Sequence, residues 1–406
     1  MTMTRAQRNN AEIRVLAMSD QAAVARELAR MGCDSATVLS LAPKGVIRLV
    51  RLERVPSGMA QILRQEMIVV GGDAAIDATG CGVLLLGTEA QLTDFCTRHH
   101  TGKTDLSVMA AVISQTLTQL TTTGRVLRCG AYHLPLGEKT YLMGILNMTP
   151  DSFSGDGLIG DIATAVRQAE AMLADGADLL DVGGESTRPG ATAVTLEEEM
   201  ARVIPVIAAL APLGVPISVD TYKSVVAAAA LDAGATLVND ISGLRFDPEM
   251  ARVVADAGVP VVVMHIRGTP RTMQQHPVYD DLLTEVCAYL RESTAIAEDA
   301  GIPHDQVVLD PGFGFGKTVE HNLELLRRLL ELRSTGQPVL LGVSRKSSIG
   351  HILHDLPPAE RVEGTGAAVA IGIMHGADIV RIHDVRAMCR VAQMTDAVVR
   401  GWAPPQ

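Results

Sequence analysis

Aromatic residues are scarce in this chain: five phenylalanines, five tyrosines and one tryptophan in 406 residues, or 3%. So little aromatic area leaves the core to aliphatic side chains. Alanine, valine, leucine and glycine do dominate, as expected of helices packed against a buried parallel sheet. The six cysteines, at 33, 81, 96, 129, 287 and 389, include no Cys-x-x-Cys pair. That argues against a zinc framework or a disulfide scaffold and for reduced, mostly buried thiols. Positive charge is in the minority, 35 Lys and Arg against 46 Asp and Glu, and a net charge of −11 argues against a nucleic-acid partner. A small anionic substrate stays compatible, because a few cations can build a positive pocket in an acidic protein. No apolar run reaches the length of a membrane span: "GVLLLG" and "VPVVVMH" are broken by polar or turn residues. The opening "MTMTRAQRNNAEIRVLAM" has no apolar core of signal-peptide type. A cytoplasmic protein without a membrane partner is expected.

What is present is a repeat of element types. From about residue 141, short aliphatic runs alternate with longer amphipathic segments: "YLMGILNM", "ADLLDVGGES", "VPISVDT", "TLVNDIS", "VPVVVMH", "QVVLDPG", "PVLLGVS" and "DIVRIHDV". Several intervening segments end in glycine ("ADGAD", "DAGAT", "DAGVP", "EDAGIP", "MHGAD"), which stops a helix by adopting positive φ. Strand, helix, glycine, strand, eight times over, predicts an α/β fold of the (β/α)8 barrel type over 124–406. A doubly wound sheet is disfavoured, for no Gly-x-Gly-x-x-Gly turn follows the first strand. Residues 1–123 read as a separate, smaller α/β domain, with helices expected in "SDQAAVARELARMG" and "DLSVMAAVISQTLTQL". Two short strands are expected within "EMIVVGGDAAIDATGCGVLLLG". Its "GGDAAIDATGCG" reads better as a turn than as an anion loop. At the joint, "RVLRCGAYHLPLGEKTYLMG" predicts a hairpin that caps the bottom of the barrel.

Nearly every run ends in reactive residue types: Asn147, Asp181 with Glu185, Asp220, Asn239 with Asp240, His265, Asp310, Ser344 with Arg345 and Lys346, Arg381 with His383. C-terminal strand ends of a barrel converge on one mouth, where such folds place their sites. Any one of these could merely mark a strand end; eight runs sharing the habit point to a site. "DPGFGFGKT" looks at first like a phosphate loop, but Pro311 stands where that pattern needs a glycine. For Asp220, capping the following helix is a competing explanation.

The order "MGILNMTPDSFSGDG", "DVGGESTRPGA", "SVDTYKS", "VNDISG", "MHIRGTPRTMQ", "DPGFGFGKT", "GVSRKSSIG", "RIHDV" closely resembles the dihydropteroate synthases, over about residues 124–400. The resemblance implies condensation of 6-hydroxymethyl-7,8-dihydropterin pyrophosphate with 4-aminobenzoate, releasing pyrophosphate. It implies Asp220, Asn239, Met264, Asp310 and Lys346 around the pterin, with the Asp310 carboxylate facing the donors of its pyrimidine edge. Thr187, Arg188, Pro189, Phe315 and Ser347 would meet aminobenzoate. Asn147, Arg381 and His383 would meet pyrophosphate, with Mg²⁺ as cofactor held on Asn147. An ion pair of Arg381 with Asp384 or Glu185 is the competing explanation for that arginine. Lys346, Arg381, His383 and the loop carboxylates Asp151 and Asp156 would carry the chemistry. A homodimer is a further implication.

One loop departs from the family pattern. Where the family reads "DSFSDGG", this chain has "DSFSGDG", so Gly155 takes the aspartate position and Asp156 is expected to substitute. Two other classes remain open at this stage. A methyltetrahydrofolate-dependent corrinoid methyltransferase shares the pterin-binding barrel but has no use for "STRPG", "SRKSS" and "RIHD". A non-catalytic pterin-binding protein would keep the barrel and rely on the N-terminal domain.

Overall fold

The computed structural model describes residues 14–56, 58–149, 162–188, 190–191 and 193–402. The chain divides into two compact units with the boundary between Thr118 and Gln119, in the last turn of the helix Asp105–Thr121. No helix among the described residues is long and apolar enough to cross a membrane.

The first unit is a three-stranded antiparallel sheet, β1 (Ile47–Leu52), β2 (Asp73–Ile76) and β3 (Val83–Thr88) in the order β1-β3-β2. Leu63, Met67, Leu85, Leu92, Phe95 and Ile113 form its core. The expected helix is present as Gln21–Arg30, with Asp20 as its cap. The stretch "EMIV" belongs to the helix Met59–Val69, and the two strands of that region, β2 and β3, begin only after it. A short apolar run is compatible with either element, and packing of Leu63 and Met67 decides for helix here. The loop after β2 is a turn: Asp77 Oδ1 accepts from the backbone N–H of Thr79 and Cys81, so those donors serve the loop itself.

The second unit opens with the expected hairpin, β4 (Val126–Cys129) and β5 (Tyr132–Pro135). Eight parallel strands follow: β6 (Tyr141–Asn147), β7 (Leu179–Gly183), β8 (Ile217–Asp220), β9 (Leu237–Asp240), β10 (Val261–Met264), β11 (Val307–Asp310), β12 (Leu340–Leu341) and β13 (Ile379–Ile382). They run β11-β10-β9-β8-β7-β6-β13-β12, and a parallel bridge between Leu309 and Val339 brings the two ends together. This is the expected (β/α)8 barrel, one strand per aliphatic run. The helix-stopping glycines take φ between 65° and 114°, as the sequence requires.

The interior explains why the mouth is polar. Leu127, Cys129 and Leu134 of the hairpin pack against Met143, Leu179, Leu237, Val262, Val308, Leu340 and Ile379, sealing the bottom with an apolar plug. Residues two apart on a strand share a face. One step up from that plug therefore come Ile145, Asp181, Asn239, Met264, Asp310, Gly342 and Arg381. Outward faces of the same strands pack against the helices in a single aliphatic core. The barrel thus changes from hydrocarbon to charge within one layer.

Candidate active site

The polar layer is held together by its own charges. Arg381 donates from Nε to Asp181 Oδ2 at 2.5 Å and from Nη2 to Asp220 Oδ2 at 2.7 Å. Asn239 Nδ2 donates to the same Asp181 oxygen at 3.3 Å. The competing explanation for Arg381 named Asp384 or Glu185; the arginine is ion-paired, but with Asp181 and Asp220. Asp384 is taken by Arg345 through two bonds of 2.9 and 2.6 Å, and Glu185 by Lys223 and Tyr222. Asp181 Oδ1 and Asp220 Oδ1 are buried without a hydrogen-bond partner among the described residues. Such orphaned acceptors are costly unless a ligand or water donates to them.

Burial and neighbouring charge tune these groups. Desolvation pushes the Asp220 carboxyl up to about 7, with Arg381 opposing and Asp181 assisting. Desolvation likewise raises Asp310, although the N–H of Gly312 donates to its Oδ1 at 2.7 Å and Lys346 lies nearby. Lys346 is lowered to about 8 by desolvation and by Arg381, and its ammonium sits 4.1 Å from the Phe315 ring centroid. His383 is pushed down to about 3 by burial and by Arg381, Arg345 and Lys346. Its imidazole is therefore neutral at physiological pH, with Nδ1 3.0 Å from Ser344 Oγ.

Above the layer opens a cleft of about 420 Å³. Asn147, Thr187, Arg188, Asp220, Phe315, Lys346, Ser347, Arg381 and His383 all line it. Asn239 and Asp310 are not among the residues that line it; both are buried in the polar layer, 5% and 6% exposed. Met264, of the same layer, packs in an apolar cluster with Ile241, Ile266, Met273 and Phe315, the last two of which line the cleft. The lining includes Arg188, Arg345, Lys346, Arg361 and Arg381 against the carboxylates Glu185 and Asp220, a positive pocket in an acidic protein. Asp151, Asp156 and Pro189 lie outside the described residues.

The competing capping explanation for Asp220 fails. The N–H of Ser224, opening the helix Ser224–Asp232, donates to Asp247 at 2.8 Å, so Asp220 is not needed there. The helix Val319–Arg327 is capped by Thr318 itself. Strand-end residues also divide by side of the barrel wall. Asp240 points away from the cleft and accepts from the N–H of Ser242 and Leu244, fixing the loop after β9. Phe313 is packed in the aliphatic core, so only Phe315 of the two serves the cleft.

The glycine-rich loop after β11 wraps a lysine and not a phosphate. Buried Lys317 donates to His265 Nδ1 (2.8 Å) and to the carbonyls of Gly312 and Phe315 (3.0 Å each). Gly312 has φ 68°, and a Cβ there would lie 1.9 Å from the His265 carbonyl oxygen. Lys317 and Met273 were given no role by sequence reasoning, and Asp181 was placed at the mouth without a specific one. For Asp181 a signal existed, since it shares the inward face of its strand with Leu179.

The sequence pattern of the family described as "Pterin binding enzyme" matches residues 143–383. The chain is 50% identical over 265 residues to the dihydropteroate synthase of Synechocystis sp., covering 65% of this chain and 92% of that one. It is 42% identical over 366 residues to a probable bifunctional folylpolyglutamate synthase/dihydropteroate synthase of Haloferax volcanii, covering 87% of this chain and 43% of that one. Among solved structures, the Burkholderia cenocepacia dihydropteroate synthase complexed with 7,8-dihydropteroate superposes with a TM-score of 0.62 at 44% identity. That match covers 68% of this chain and 98% of that one.

Proposed function

The chain belongs to the pterin-binding enzymes and, within them, to the dihydropteroate synthases, and from that premise we propose how its residues share the reaction. Synthases of this family join 6-hydroxymethyl-7,8-dihydropterin pyrophosphate to 4-aminobenzoate. The observation that carries the assignment of roles is the polar layer itself, with Asp181, Asn239, Asp310 and Arg381 one step above an apolar plug and beneath Lys346 and Phe315.

Asp310 and Asn239 take the pyrimidine edge of the pterin, whose N–H donors satisfy a carboxylate that burial otherwise disfavours. Lys346 donates to the ring nitrogen and carbonyl, Asp220 contacts the bicycle from another side, and Met264 lies under it. Arg381 and His383 grip the pyrophosphate. Nε and Nη2 of Arg381 are already engaged, which leaves Nη1 for the anion, and neutral His383 acts as an N–H donor. Thr187, Arg188, Pro189, Phe315 and Ser347 hold aminobenzoate.

The C–O bond to pyrophosphate breaks first, leaving a methylene cation that the electron-rich dihydropterin stabilises. The arylamine nitrogen then attacks and loses its proton. Catalysis is chiefly charge placement, cations at the leaving group and carboxylates near the methylene cation. In the first loop Asp156 stands in for the aspartate displaced by Gly155. Unchanged turnover in Asp156→Asn alongside a dead Asp151→Asn would reverse that assignment.

Magnesium fits the donor set as a partner of the substrate. No group of three His, Cys, Asp or Glu able to hold a metal occurs among the described residues, whereas Asn147 offers one oxygen at the cleft. Magnesium needs only one or two protein oxygens when phosphates and water supply the rest, and it would neutralise charge on the leaving group. A homodimer in the cytoplasm completes the proposal. The unpaired cysteines suit a reducing compartment, and Met374, Met394 and Val398 are exposed on the helices Val362–Met374 and Val385–Arg400. Light scattering should give twice the chain mass.

The test is pyrophosphate release with both substrates and Mg²⁺. Wild type should turn over, and Lys346→Ala should lose at least about 100-fold in kcat/KM, roughly 2.7 kcal/mol of transition-state stabilisation. No release by wild type would refute the assignment of roles.

A further inference from the structure

The lysine of "SVDTYKS" is absorbed by none of the roles above, yet its ammonium makes three hydrogen bonds close to the cleft. Lys223 Nζ donates to Glu185 Oε2 at 2.6 Å, Glu199 Oε2 at 2.5 Å and the Val194 carbonyl at 2.8 Å. Glu185 and Val194 stand at the two ends of the segment that carries Ser186, Thr187 and Arg188 into the cleft. Glu199, 1% exposed, belongs to the helix Leu196–Leu210 that follows. Lys223 itself stands at the cap position of the helix Ser224–Asp232 and is anchored by its N–H to Thr221 Oγ1. One ammonium on a rigid support thus ties both roots of a cleft-lining segment.

The surroundings reinforce the tie. The Tyr222 hydroxyl donates to Glu185 Oε1 at 2.7 Å, and its ring meets Phe246 edge-on, 5.5 Å between centroids. Arg202 Nη1 donates to the Gly184 carbonyl at 2.7 Å, holding the residue just before the segment. Burial works against the charge on Lys223, but the bonds to Glu185 and Glu199 outweigh it and its pKa is raised. Removing the ammonium would leave two buried carboxylates facing each other, so the roots would part.

We propose that Lys223 is a positioning residue that clamps both ends of segment 185–194 and so sets the placement of Thr187 and Arg188 in the cleft. Its consequence for turnover rests on the assignment of that segment to aminobenzoate. Two readouts keep the clamp and that assignment apart. In Lys223→Met, amide hydrogen exchange at 186–188 should quicken at least about tenfold in the full-length protein without ligand. KM for 4-aminobenzoate should rise about tenfold while KM for the pterin pyrophosphate moves less than about twofold, and Lys223→Arg should recover most of both effects. Glu185→Gln, which loosens one root and keeps Lys223 with Glu199 and Val194, should quicken exchange by a smaller factor; it serves if Lys223→Met does not fold. Unchanged exchange in Glu185→Gln and in a folded Lys223→Met overturns the clamp. Faster exchange with an unmoved KM for aminobenzoate upholds the clamp and refutes the assignment of the segment.

Discussion

Gly312→Ala tests whether the glycines after β11 exist to bring the loop against β10. Two costs can be separated. At φ 68° an alanine pays about 1–2 kcal/mol for the left-handed conformation alone. In addition its Cβ would lie 1.9 Å from the His265 carbonyl oxygen and 3.0 Å from the carbonyl carbon, both backbone atoms that no rotamer change can move. Relief requires the loop to lift, which breaks the 2.7 Å bond from the Gly312 N–H to Asp310 Oδ1, worth about 1.5–3 kcal/mol for a charged acceptor. The total is about 2.5–5 kcal/mol. Gly258 supplies a matched control, with φ 65° and no heavy atom within 4 Å of where a methyl would sit, so Gly258→Ala should pay only the conformational part. At roughly 2–4 °C per kcal/mol, the melting temperature of Gly312→Ala should fall about 3–12 °C further than that of Gly258→Ala. Calorimetric titration with a pterin ligand should show at least about tenfold weaker binding for Gly312→Ala and no change for the control. Equal melting temperatures and undiminished pterin affinity would refute the close-approach argument.

Three further outcomes follow from the same geometry. The Asp220 carboxyl is raised from 3.8 to about 7, so between those values the folded protein holds a proton that the unfolded chain lacks. Its contribution to stability is therefore present below about pH 4 and is lost as pH rises towards 7, at up to about 1.4 kcal/mol per pH unit. Unfolding midpoints of wild type relative to Asp220→Asn should decline across that window and level off above it; a rise would contradict the sign. Asp181→Asn weakens the anchor shared by Arg381 and Asn239, and should destabilise by about 2 kcal/mol in denaturant titration while lowering kcat/KM for the pterin substrate. Unaltered kinetics would show that Asp181 only fills the floor. A fragment spanning 119–406 should fold and keep kcat/KM within about threefold of the full chain, because every assigned site residue lies within that unit. Loss of activity from a folded fragment would make the first unit part of the catalytic apparatus.

The local pattern alone was enough to locate eight strands, the glycines that end the helices between them and the capping hairpin. Aliphatic runs, helix stops and turn residues act over a few positions, and their rules hold wherever the chain goes. The same alternation placed Arg381 and His383 on one inward face, and both line the cleft. Partner choice was another matter. Arg381 reaches Asp181 and Asp220, 200 and 161 residues away, while the nearer Asp384 goes to Arg345. Closure of the barrel also sorted neighbours such as Asn239 and Asp240, one against Asp181 in the polar layer and the other onto the loop after β9. Pro311 already excluded a phosphate loop around Lys317, but only the fold shows that lysine enclosed by carbonyls of its own loop. Sequence determines which face each side chain takes along its strand, because that is a property of the backbone. Which charges meet depends on how eight strands close and stagger around a common axis, and only the tertiary structure decides that.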